Sequence, residues 1–72
     1  MLLKEYLEQS NLSQLDFGLI VNELQPTVAK WVLGRNIPRP GALESIAAAT
    51  QGKVSYTDFV KAQSEYKTRH SN

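Results

Sequence analysis

The stretch from Gln14 to Leu33, QLDFGLIVNELQPTVAKWVL, decides how this chain folds. Small or apolar residues fall at Phe17, Gly18, Val21, Val28 and Trp31. That spacing predicts two short helices that cross closely and share one small core. Gly18 stands in mid-helix, where glycine costs roughly 1 kcal/mol relative to alanine. Its presence is best explained if another helix backbone passes directly over it. Asn22 stands where the chain must turn sharply, and asparagine tolerates the left-handed conformation better than most residues.

Two helices joined at such a turn make a helix-turn-helix over residues 14–33. The flanking sequence predicts further helices. Leu2, Leu3, Tyr6 and Leu7 fall on one side of a helical wheel and Lys4, Glu5 and Glu8 on the other, giving a first helix over about residues 2–10 that Asn11 ends. Ser13 caps the second helix and Asp16 reaches back in the manner of a capping box, with Leu12 and Phe17 as the hydrophobic staple. Pro26 is tolerated only in a first turn, which starts the third helix near Gln25, and Gly34 stops it. Ile37-Pro38-Arg39-Pro40 reads as a stiff extended link, because a residue before proline is pushed out of the α region. Pro40 opens a fourth helix through Leu43, Ile46 and Ala47 to about Thr50, with Gly52 as its stop. Ser55 and Asp58 repeat the start signal, predicting a fifth helix over about residues 56–63 with Tyr56, Phe59 and Val60 on its apolar face. A β-hairpin over residues 53–62 is the rival, since strand formers cluster there. The expected fold is all-α, with four to five compact helices in one domain over residues 1–63 and a flexible, slightly basic tail over 64–72.

Seventy-two residues make one small domain with a thin core. The absence of cysteine removes disulfides and thiolate metal sites, which fits a reducing compartment such as the cytoplasm. No apolar run approaches a membrane span. The segment MLLKEYLEQS has acidic residues where a signal peptide would be basic, and is read as mature chain. The net charge is only +1, but it is unevenly spread. Residues 1–29 hold one lysine against four carboxylates, and residues 30–72 hold seven basic against three acidic side chains. Lys30, Arg35 and Arg39 lie in an acid-free window between Leu24 and Leu43. That is what contact with phosphates requires, although the density of bases is ordinary.

With Val28 and Trp31 facing inward, Gln25, Pro26, Thr27, Ala29 and Lys30 face out. The second helix of such a motif enters the major groove of double-stranded DNA. Glutamine can pair with adenine N6 and N7 and lysine with guanine O6 and N7, while Pro26, Ala29 and the Thr27 methyl suit thymine methyls. The alternative is an ordinary solvated face. Trp31, Tyr6, Tyr56 and Phe59 read as packing residues, and His70 as inert. One histidine, no cysteine and scattered carboxylates form no nucleophile–base pair and no metal cluster. There is no Gly-rich phosphate loop. No enzyme, cofactor or small-molecule ligand is expected.

Gln14, Gly18, Asn22, Gln25 and Val28, followed by PTVAKWVLGRNIP, resemble the Cro/CI-type (XRE-like) helix-turn-helix of phage and bacterial repressors, in particular the small Cro-like and YdaS-like proteins. The likeness covers about residues 2–60. It implies a λ-repressor-like fold and a DNA-binding regulator, most readily a phage or prophage repressor acting in the bacterial cytoplasm. It implies that Gln14 contacts a phosphate and braces Gln25, and that Gln25 reads a base. It implies that Ala29 and Lys30 face the groove. Arg35 and Asn36 would contact backbone phosphate, joined by Arg39 and the start of the fourth helix. One such module makes few contacts, so a homodimer on a near-palindrome is expected, formed in solution or only on DNA, with the fifth helix and the tail as the candidate pairing surface. An antitoxin-like regulator and a protein-interaction module are the alternatives. The turn departs from the family pattern of glycine, apolar, serine, reading Asn22-Glu23-Leu24. One arrangement that would absorb the change has Leu24 swinging into the apolar slot and Gln25 capping the next helix.

Overall fold

The computed structural model describes residues 1–70 and contains five helices and, among those residues, no strand. They are α1 (Leu3–Ser10), α2 (Gln14–Val21), α3 (Gln25–Leu33), α4 (Pro40–Thr50) and α5 (Tyr56–His70). Residues 71 and 72 of the expected tail lie outside the described residues.

Local chemistry sets the boundaries. Asn11 and Asn22 end α1 and α2 in the left-handed region, at φ 56° and 60°. The Asp16 amide donates to Ser13 Oγ at 3.0 Å and the Ser13 amide donates to Asp16 Oδ2 at 3.2 Å, which completes the capping box of α2. Pro26 and Pro40 occupy the first turns of α3 and α4. At the end of α4 the Gly52 amide donates to the Ala47 carbonyl at 2.9 Å.

The core takes residues from every helix. Leu3 and Leu7 of α1, Phe17 and Val21 of α2, Val28 and Trp31 of α3, Ile46 of α4 and Phe59 of α5 are buried, together with Val54. Phe17 meets Tyr6 edge-on at 6.3 Å, and Trp31 meets Phe59 edge-on at 6.4 Å. Such pairs add about 0.5–1.5 kcal/mol beyond the area they bury. The buried polar residue Thr50 is satisfied on both sides. Its Oγ1 donates to the Ile46 carbonyl at 2.8 Å and accepts from the Val54 amide at 3.3 Å, which ties α4 to the segment entering α5.

Tyr56 opens the expected fifth helix, the rival hairpin over residues 53–62 does not form, and two other expectations are corrected. The Ser55 amide donates to Asp58 Oδ2 at 2.8 Å and starts a helix instead. That helix also outruns its expected end at residue 63, so residues 64–70 are its last turns rather than a tail. No glycine or proline interrupts it. Thr68 Oγ1 donates to the Ser64 carbonyl at 2.9 Å, Tyr66 and His70 stack at 4.1 Å, and Lys67, Arg69 and His70 complement the negative helix end. Finally, the close neighbour of Gly18 is the turn rather than the body of α3. A Cβ there would lie 2.5 Å from the Glu23 carbonyl oxygen and 3.5 Å from a Val28 methyl.

Gly18→Ala therefore lowers stability by about 1–3 kcal/mol in urea melts, because a backbone oxygen cannot move as a side-chain tip can. Gly41 of α4 has open space around its missing Cβ. Gly41→Ala is neutral or stabilises by up to about 1 kcal/mol in the same measurement.

Asp58 also pairs with the Met1 ammonium at 3.1 Å. Partial burial raises its carboxyl pKa. Hydrogen bonds from the Ser55 amide, the ammonium and the Ser55 hydroxyl, together with the ammonium charge, outweigh that and hold it below the ordinary 3.8. The unfolded chain thus takes up this proton first as pH falls. The stabilisation is complete above the ordinary carboxylate value and is lost as pH drops through the lowered one. Unfolding free energies of wild type and Asp58→Asn, measured at stepped pH, converge across that acidic range and differ by a constant amount at neutral pH.

Candidate nucleic-acid interface

The outer side of α3 follows from where its core residues point. Val28 and Trp31 are buried, which turns Gln25, Pro26 and Lys30 to solvent and leaves Thr27 and Ala29 half-buried. At the head of this face Gln25 Nε2 donates to Gln14 Oε1 at 2.7 Å. The bond joins the first residues of α2 and α3. It fixes one glutamine amide and leaves the rest of its donors and acceptors to solvent. Leu24 does not swing inward. It is 75% exposed, and neither it nor Gln25 makes a side-chain cap for α3. With Gln25 bonded to Gln14 instead, the α3 N-terminus keeps one free amide, that of Gln25, since Pro26 has none and the Thr27 and Val28 amides donate to the Leu24 carbonyl.

The chain leaves α3 through Gly34, which is left-handed at φ 87°. The Gly34 amide donates to the Lys30 carbonyl at 3.1 Å and the Arg35 amide donates to the same carbonyl at 2.9 Å. A Cβ on Gly34 would fall on the Ala62 carbonyl oxygen of α5. The fifth helix thus presses directly on the start of the loop that carries Arg35, Asn36 and Arg39.

That loop, α3 and the start of α4 enclose an open hollow of about 500 Å³. Thr27, Lys30, Arg35, Asn36 and Arg39 line it, so five of the residues singled out from sequence converge on one concavity. Gln14, Gln25, Pro26 and Ala29 lie outside it, at the head and along the outer face of α3. Glu23 of the turn, whose negative charge the sequence reading places near the DNA, also lines the hollow, one turn before Thr27. One further residue was missed: Gln63 reaches the hollow from α5, and no local pattern pointed there. Among the described residues no carboxylate pairs with Lys30, Arg35 or Arg39. Arg39 precedes α4 without capping it, and the first turn of α4 has no acidic residue. Free amides and three unpaired cations suit an anionic backbone.

A family model described as helix-turn-helix matches residues 3–56. The chain belongs to this family, of the Cro/CI (XRE-like) type, and is a DNA-binding regulator rather than a member of an enzyme family. No curated protein and no solved structure gives a significant match. No described helix is long and apolar enough to cross a membrane.

Gly34→Ala is expected to lose about 2–4 kcal/mol of stability, since it combines a left-handed backbone with a clash against a helix carbonyl. Thermal melts check the loss. Hydrogen exchange should rise first at Arg35 and Asn36, where the loop leaves its support.

Proposed function

We propose that the protein is a Cro-like phage or prophage repressor that binds a near-palindromic operator as a homodimer, acting in the bacterial cytoplasm. The observation that carries this is the Gln14–Gln25 hydrogen bond at the head of an exposed helix face flanked by unpaired cations. It presets the geometry in which Gln25 reads a base while Gln14 meets the neighbouring phosphate. Pro26, Thr27 and Ala29 line the groove against thymine methyls, and Lys30 donates to guanine. Arg35, Asn36, Arg39 and the free N-terminus of α4 hold the phosphate backbone, which positions the reading face without itself carrying sequence information. Two copies would place their α3 helices about one turn of B-DNA apart, roughly 34 Å. Occupying a promoter in this way excludes polymerase.

Selection of bound duplexes from a random pool tests the reading through the symmetry and spacing of the recovered half-sites. On the selected operator, Lys30→Ala costs about 1–3 kcal/mol and relaxes preference at one base position. Arg35→Ala weakens all duplexes alike and reduces the salt dependence by about one phosphate contact. If both variants behave as wild type on that operator, the face is assigned wrongly.

A further inference from the structure

The side of α2 that faces away from the core is apolar. Leu15 and Leu19 stand one turn apart, Ile20 flanks them, and Leu24 follows at the head of α3. Their exposures are 57%, 74%, 56% and 75%. Phe17, Gly18 and Val21 take the buried side, so this helix is apolar all round yet covered on one side only. A helix with that pattern is normally enclosed. The four side chains together present on the order of 500 Å² of surface, as much as the largest apolar patch on a typical monomer.

We infer that a second copy of this chain covers the face, and that Leu15, Leu19 and Ile20, with Leu24 at one end, form the homodimer seam. The inference rests on the proposed function only for the need of a pair, and it names which surface does the pairing. Joining two such patches removes up to about 1,000 Å² from water, the size of a weak, reversible pairing. Asp16 is the acidic residue within α2, and its carboxylate is already engaged by the Ser13 amide at the helix start. Glu23 turns toward the basic hollow on the other side of the turn.

The fifth helix, a candidate pairing surface from sequence, offers less. Phe59 is only 2% exposed, consumed by its contact with Trp31, and this leaves Tyr56 and Val60. None of the four seam residues lines the basic hollow.

Sedimentation equilibrium without DNA tests the seam. The wild type should dimerise, and Leu19→Glu should weaken its dimer dissociation constant by at least about tenfold. Val60→Glu should leave that constant unchanged. Both positions are exposed, so circular dichroism should show each variant folded. The chain has no cysteine, so Leu19→Cys supplies a single thiol beside the dimer axis. It should give a disulfide-linked homodimer on mild oxidation, which Val60→Cys should not. A wild type still monomeric at about 1 mM would assign the face to some other protein and overturn the proposal. So would a Leu19→Glu variant that dimerises normally, or a dimer lost through Val60→Glu. The DNA reading is judged separately. An α2-linked dimer without salt-sensitive duplex binding sinks that reading alone, and salt-sensitive binding by a dimeric Leu19→Glu sinks the seam alone.

Discussion

The contact between Gly18 and Glu23 aims the rest of the molecule. The Glu23 amide donates to the Gly18 carbonyl at 2.7 Å, while the Glu23 carbonyl occupies the space where any other residue 18 would carry a Cβ. The two residues are thus locked to each other from both directions. Asn22 supplies the left-handed backbone that lets the chain reverse between them. So short a turn leaves α3 little freedom in angle or register. Val28 lands within 3.5 Å of the Gly18 position and Trp31 reaches Phe59. Once those two side chains are inside, the helical period alone sends Gln25, Pro26 and Lys30 outward. The exposed face of α3 is therefore a by-product of core packing.

Charge is arranged around the same axis. The segment from Glu5 to Ala29 contains no lysine or arginine, whereas Lys30, Arg35 and Arg39 share one hollow. A molecule with so small a net charge has little long-range attraction for a polyanion. A concentrated cationic hollow beside acidic helices still orients the approach, because field lines converge in a cleft. Glu23 sits inside that hollow and lowers its potential. Under the proposed function this favours contacts that are correctly formed over contacts that are merely electrostatic, which is the direction specificity requires.

Much of this was legible because the decisive signals are local. Ser13 with Asp16, Pro26, Gly34 and Pro40 each act within a turn of their own position, and each set a boundary where the sequence placed it. The outward face of α3 was legible for the same reason, since it needs only a period and two core residues. What escaped depends on tertiary placement. The length of α5 was missed because a polar stretch without stop signals continues or frays according to what holds its preceding turn. Here Ala62 is pinned against Gly34. Gln63 was missed along with it. Leu24 was a candidate for the apolar slot that Glu23 leaves unfilled in the turn, but the turn that locks Glu23 against Gly18 directs the next side chain to solvent.

The helix starts divide by what they face. The N-terminus of α2 is closed by its own side chains, Ser13 and Asp16. Those of α3 and α4 are preceded by Leu24 and Arg39, make no side-chain cap, and have no acidic residue in their first turns. A missing cap costs about 0.5–2 kcal/mol, a large fraction of the stability of a small domain. Pro26 and Pro40 recover part of this by presetting the first turn. What still needs an acceptor is the Gln25 amide of α3 and the Gly41 and Ala42 amides of α4, because the Thr27 and Val28 amides already donate to the Leu24 carbonyl and the Leu43 amide to that of Arg39. Water supplies a weak one in the free protein, and under the proposed function a phosphate oxygen supplies a charged one. Capping α3 and α4 as α2 is capped would stabilise the free fold and weaken the bound one. Under that reading the bare helix starts are the places where this sequence gives up stability in favour of a ligand.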